Sequence, residues 1–397
     1  MLPTTPNLTG QTGAQAVNGG DPGALQRRIG LRSAVLFNVL EMIGVGPFIT
    51  LPLVIAAAGF RLSVWAWVFG AAIAVADGLV WAELGAAFPR AGGSYAFLRE
   101  IYGPNRAGNW LSFLYVWQVG FTAPLSIASG CIGLSGFLAV FCPALDQAPI
   151  AALPAIHYAN IAAAAACLLV TVLLYRNIGS VARMAWVLFA GVVAALAGVI
   201  VSGFAHAAST GGWHMPAAPP INAALGHLGG LGGLAQATLL ATYCYWGYYN
   251  ICFLAAEVRK PERTIPRAIL LSVLIVAVTY VLMDLAVLPS LGDTNLAALP
   301  GRLVANIARL AFGSWAGYTI AALIVWTAFS SVFSLQLGYS RVPYAAARDG
   351  NYFSYLGAVH PKHGSPPLSL FALGLVGAFL SFFSVTQVIT LLVIPRI

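Results

Sequence analysis

The sequence predicts an all-α integral membrane protein, and three observations predict it. Of the 397 residues, 60% are hydrophobic and 8% are charged, where soluble domains carry roughly 25% charged residues. Apolar runs of about 20 residues, enough to cross a bilayer, recur along nearly the whole chain. The runs are continuous rather than alternating. That selects helices over barrel strands, the only two structures that satisfy their own backbone in hydrocarbon.

The expected spans cover 35–58, 63–88, 110–140, 156–175, 183–206, 228–255, 268–290, 313–340 and 366–385. A further stretch, 386–397, begins another helix, but about a dozen residues at roughly 1.5 Å each cannot cross a bilayer. Residues 34–397 thus form one transmembrane domain. Residues 1–33 read as a disordered cytoplasmic tail, polar and rich in Gly, Thr, Asn and Gln, with no cleavable signal peptide. Between the seventh and eighth spans, Leu303, Ile307 and Leu310 share one helical face while Arg302, Asn306 and Arg309 share another. This predicts a short helix lying in the outer interface.

The net charge of +8 records topology. Arg27, Arg28, Arg32, Arg90, Arg99, Arg106, Arg176, Arg183, Arg259, Lys260, Arg263, Arg267, Arg341, Arg348 and Lys362 fall in or beside alternate loops. The opposite loops hold only Arg61, Arg302 and Arg309, and Arg396 lies in the terminal stretch. This positive-inside pattern puts the N-terminus in the cytoplasm and gives no support to a nucleic-acid partner. Cys131, Cys142, Cys167, Cys244 and Cys252 show neither a disulfide framework nor metal spacing. Gly230-Leu231-Gly232-Gly233-Leu234-Ala235 fits a dinucleotide pattern, but it follows no strand, so it reads as small-residue helix packing. No Walker lysine, metal-protease or nucleophile-elbow motif is present, so neither an enzyme nor a cofactor is expected.

Two spans are interrupted. Gly44-Val45-Gly46-Pro47-Phe48 sits in mid-span 1, where proline removes a donor and glycine admits unusual dihedrals. The segment is either a kink or a discontinuous helix whose freed amides bind a carboxylate. Tyr243-Cys244-Tyr245-Trp246-Gly247-Tyr248-Tyr249-Asn250 crowds five aromatics around one glycine in mid-span 6, read either as packing or as a second break. Paired interruptions are a pointer to a transporter's binding site. Among acids in the spans, each costing about 2.5–3.5 kcal/mol at a helix centre, Glu41 lies nearly one turn before Gly44 and shares its cavity. Glu83 and Glu257, near span ends, read as structural locks; Asp77 and Asp284 read as helix–helix hydrogen-bonding groups.

Four ordered segments carry a family resemblance. They are Met42–Pro52 (M-I-G-V-G-P-F-I-T-L-P), residues 82–103 (A-E-L-G-A-A-F-P-R-A-G-G-S-Y-A-F-L-R-E-I-Y-G), residues 255–268 (A-A-E-V-R-K-P-E-R-T-I-P-R-A) and residues 338–366. Together they resemble the amino acid–polyamine–organocation superfamily of permeases. The resemblance implies an inverted repeat of spans 1–5 and 6–10 in the plasma membrane, with broken spans 1 and 6. An amino acid or polyamine would lie between the breaks. Backbone amides around Gly44, Val45 and Gly46 would take its carboxylate, although Pro47 departs from the family in lacking an amide. Carbonyls around Tyr243, Cys244 and Tyr245, beside Gly247, would take its amino group, and Tyr245 or Trp246 would gate the site.

The stretch Tyr248–Asn250 looks most like a branch that includes plant polyamine uptake permeases. Residues 183–206 lack the lysine that some members use in place of a coupling sodium, which leaves proton or sodium coupling open. Glu41 is then a coupling group, a cation-recognition group or a structural hydrogen-bonding group. The expected function is secondary active transport. Because the chain stops within its tenth span, a truncated product is also expected, with a non-transporting fragment or membrane sensor as the alternative.

Overall fold

The computed structural model describes residues 25–103, 106–148, 156–210, 230–292, 303–384, 387–388 and 391. Among these residues the structure is helical, with one isolated bridge between Ile29 and Val258. Most of the tail, Arg302 and nearly all of the stretch 386–397 lie outside the described residues.

The first span is two helices, α1 (Leu31–Met42) and α2 (Gly46–Ala58), bent by 56° at their junction. In a continuous helix the Pro47 ring would strike the Ile43 carbonyl four residues earlier. In the first turn of α2 its fixed φ is favourable and its missing N–H costs nothing. The chain continues through α3 (Ser63–Ala87), α4 (Ser94–Tyr102), α5 (Arg106–Leu138), α6 (Tyr158–Leu174) and α7 (Ile178–Ser209). A second interruption separates α8 (Leu231–Tyr245) from α9 (Asn250–Phe253). Here Gly247 adopts φ 120°, outside the helical region.

Then come α10 (Pro261–Val287), α11 (Leu303–Phe312), α12 (Ser314–Tyr339), α13 (Arg341–Arg348) and α14 (Pro367–Leu380). Five of these helices, α3, α5, α7, α10 and α12, are long and apolar enough to cross a bilayer, and the bent α1–α2 pair makes a sixth. The protein is a multi-pass membrane protein.

Several ends differ from the sequence reading. Helix α10 starts at Pro261 rather than near 268, with proline in its first turn. Helix α7 starts at Ile178 rather than 183, because the Asn177 side chain accepts from Ser180 N at 2.9 Å. Both ends are set by capping chemistry, which an apolar count does not register. Helix α14 has 14 residues against the twenty expected at 366–385. Helix α11 buries Leu303, Val304, Ile307 and Ala308 but leaves Leu310 exposed, so its apolar stripe is rotated from the expected face. Residues 25–30 are not a free tail. Arg28 N and Ile29 N donate to Glu257 O at 2.8 and 2.9 Å, Arg259 N donates to Ile29 O at 2.8 Å, and Ile29 is buried.

Packing pairs α2 with α8, α3 with α10 and α5 with α12, while α7 lies against both α10 and α12. On α3, Gly70, Gly78 and Gly85 face α8, α9 and α10, where a Cβ would come within 2.9–3.2 Å of neighbouring atoms. Small residues let membrane helices approach this closely. Trp65, Phe69, Ile73 and Val80 of the same helix are exposed, as a lipid-facing surface requires.

At one end of the bundle the connections interlock. Arg90 pairs with Glu100 and, at 3.0 Å, with Asp349; Arg99 reaches Asp349 at 3.4 Å. The Tyr95 hydroxyl donates to Asp349 at 3.4 Å. Burial and the neighbouring Asp349 charge push that phenol above its ordinary range. Arg341 Nε donates to Glu257 at 2.8 Å, with both side chains buried. Three of the four segments that carry the family resemblance therefore meet in one structural clasp.

Candidate functional site

The two interruptions face each other across a cavity of about 170 Å³. Helix α2 opens on it with its N-terminus, where first-turn amides have no intrahelical partner and the dipole is positive. Helix α8 ends at Tyr245 and presents its last carbonyls, where the dipole is negative. The Tyr280 hydroxyl on α10 ties the two, donating to Met42 O at 3.0 Å and also lying 3.2 Å from Cys244 O. Thr50 Oγ1 and Cys244 Sγ share a hydrogen bond at 2.8 Å.

Other side chains satisfy the remaining backbone. Asn38 Oδ1 accepts from Ile251 N at 3.0 Å. Ser331 Oγ donates to Glu41 O at 3.1 Å, and Ser334 Oγ to Phe37 O at 2.6 Å. Non-helical backbone at membrane depth is tolerable only with such partners. At Gly247 the two breaks approach each other closely. A Cβ there would lie 2.9 Å from both Glu41 Cγ and Met42 N.

Gly44, Val45, Gly46, Tyr243, Cys244 and Trp246 line this cavity, and Glu41 forms part of its wall. Tyr245 and Gly247 do not. Tyr245 is fully buried, donates to Trp67 O at 3.1 Å and packs against Tyr280; Gly247 backs onto Glu41. Glu41 is 9% exposed, its Oε2 has no hydrogen-bond partner, and no cationic side chain lines the cavity.

The opposite walls were not singled out from the sequence. Helix α5 supplies Ser126, Ser129 and Gly130; α12 supplies Ala328, Ser331, Val332, Leu335 and Tyr339. Their signal is a cluster of small polar residues in an apolar run, which ordinary helix packing also produces. Tyr280, the tie between the breaks, carried no sequence signal.

The other acids separate clearly. Ser63 Oγ donates to Asp284 at 2.9 Å, the Tyr248 hydroxyl donates to Asp77, Glu257 is ion-paired and Glu83 is exposed. Among the described residues, no group of three His, Cys, Asp or Glu side chains could hold a metal ion. Amides at one break, carbonyls at the other and a carboxylate beside both can together hold a small zwitterion.

Residues 29–394 match the profile of the family described as Amino acid permease. An uncharacterized transporter of Mycobacterium tuberculosis is 32% identical over 362 residues, covering 91% of this chain and 74% of the relative. The serine/threonine exchanger SteT of Bacillus subtilis is 26% identical over 88% of this chain and 75% of its own length. The Asc-type amino acid transporter 1 of Mus musculus is 26% identical over 86% of this chain, which spans 62% of that relative. With helix breaks facing one cavity and a profile matched from 29 to 394, the chain belongs to the amino acid permease family of the amino acid–polyamine–organocation superfamily.

Proposed function

We propose that this permease is a secondary transporter that binds a small neutral amino acid in the central cavity and moves it by alternating access across the plasma membrane. One observation carries the reading: two helix interruptions of opposite polarity open on the same cavity. The amides at Val45 and Gly46 take the carboxylate, and the carbonyls of Tyr243 and Cys244 take the ammonium group. The volume of about 170 Å³ and the walls of Ser126, Ser129, Gly130 and Ser331 favour a small side chain. One relative, SteT of Bacillus subtilis, is a serine/threonine exchanger, and both of those amino acids are small.

An inverted five-plus-five repeat accounts for part of the packing, since α3–α10 pairs spans 2 and 7 and α5–α12 pairs spans 3 and 8, at equivalent places in the two halves. The charge bias between alternate loops supports a cytoplasmic N-terminus.

Gly46→Val tests the carboxylate site. A Cβ at Gly46 has Cys244 Sγ as its nearest neighbour, at 4.0 Å, so the variant folds, while its branched methyls occupy the space beside the amide. Losing one charge-assisted hydrogen bond weakens L-serine binding about 10- to 100-fold, measured on purified protein in detergent. Parent-like binding would place the carboxylate elsewhere.

Glu41, buried beside the break without a cationic partner, is assigned the coupling proton. Glu41→Gln keeps the shape and removes the titration. Serine should still bind, but the pH dependence of its affinity should flatten. An unchanged profile would move the proton to another group. Loss of lysine or putrescine binding with serine binding intact would instead make Glu41 a recognition group for cationic substrates.

A further inference from the structure

A second cavity, of about 390 Å³, lies on the α3 side of the span-6 break. It shares Trp246, Tyr249 and Tyr339 with the central cavity, so these three form the partition between them. It extends as far as Ser94, at the end of the bundle that carries the Arg90–Asp349 clasp.

Asp77 is an exposed residue within the apolar length of α3, between Ile73 and Val80, and its side chain forms part of the wall of this cavity. Its carboxylate accepts from the Tyr248 hydroxyl and takes part in none of the ion pairs among the described residues. A phenol donates a hydrogen bond but does not neutralise a charge, and no Lys, Arg or His lines the cavity. The rest of the wall is rich in aromatic faces. Trp81 stacks on Tyr249 with ring centroids 4.8 Å apart, and Trp246 lies on the partition.

An intramembrane carboxylate calls for a compensating partner, and aromatic faces around an anion favour an organic cation over a metal ion. A purely structural Asp77–Tyr248 bond would be packed over, whereas here the carboxylate faces open volume. We propose that this cavity binds an organic ammonium group, with Asp77 as counter-ion and Trp81, Trp246 and Tyr249 as aromatic walls. Its source is either the transported amino acid, one partition away from the central cavity, or a separate amine.

The probe is radiolabelled ethylamine, which carries the ammonium group but no carboxylate, bound to the full chain in lipid nanodiscs. Asp77→Asn should weaken it about 10- to 100-fold, the worth of a charge-assisted hydrogen bond, while Glu83→Gln, also on α3 but outside the wall of this cavity, should leave it unchanged. Trp81→Leu should cost about 3- to 30-fold through the lost cation–π wall, and it decides the matter if Asp77→Asn is not monodisperse.

Parent-like ethylamine binding in Asp77→Asn overturns the assignment. So does loss of ethylamine binding in Gly46→Val, which would place the ligand in the central cavity. Displacement of ethylamine by L-serine identifies the transported amino acid as the source; no displacement identifies a separate amine. Failure of the central-site reading shows up differently, as serine binding that survives Gly46→Val whatever ethylamine does.

Discussion

Replacing Glu257 with Gln is expected to lower the stability of the folded chain by about 3–5 kcal/mol, the usual effect of breaking a buried ion pair from one side. The Arg341 side chain is 3% exposed and that of Glu257 0%. Arg341 also donates to Leu337 O at 3.2 Å and Ser340 Oγ at 2.8 Å, so it cannot swing out to water without breaking these bonds as well. Gln would leave a guanidinium charge buried among neutral acceptors. Removing both partners in Glu257→Gln/Arg341→Met deletes the stranded charge and should recover most of the loss. Thermal unfolding in detergent reads both variants. If the single variant melts with the parent, water reaches the pair and the clasp is not held by it. The pair matters beyond stability because Glu257 follows α9 directly and its carbonyl accepts from Arg28 and Ile29. Any motion of this half of span 6 must therefore carry the N-terminal segment with it.

The helices were legible because a bilayer leaves few alternatives. The apolar run at 63–88 is the helix Ser63–Ala87, for instance. Gly44–Pro47 and Gly247 stood out in mid-span, but the choice between a kink or packing and a true break stayed open, because proline and glycine are common in membrane helices. What sequence could not give was anything made by juxtaposition. Tyr280 touches Met42 from 238 positions away and Cys244 from 36, and a tyrosine in a membrane helix otherwise reads as interfacial.

The choice between Tyr245 and Trp246 as the cavity aromatic was equally hidden. It depends on where α8 stops. Tyr245 is the last helical residue and turns inward to Trp67, while Trp246 leaves the helix with ψ 140° and meets the cavity. Asp77 lacked a nameable partner for the same reason, since Tyr248 lies 171 positions away.

Gly247→Ala is expected to weaken L-serine binding by at least about tenfold and to destabilise the fold by about 1–3 kcal/mol, the cost of a non-glycine residue held in a forbidden region. Two effects combine. At φ 120° an L side chain is strained whatever the space around it. Space is also missing, because the new Cβ would sit 2.9 Å from Glu41 Cγ and 2.9 Å from Met42 N. The glutamate stem can turn aside, but the Met42 amide is backbone and cannot. The end of α1 must therefore move away from the span-6 break, and Tyr280 can no longer hold both Met42 O and Cys244 O. The amides and carbonyls that face the cavity then lose their spacing, and a zwitterion is no longer gripped at both ends. Gly230→Ala separates strain from collision. Gly230 also has a positive φ, 66°, but a Cβ there meets nothing within 4 Å. That variant should lose some stability and keep its serine affinity. If Gly247→Ala also binds serine like the parent, the spacing of the two breaks is not what sets the site.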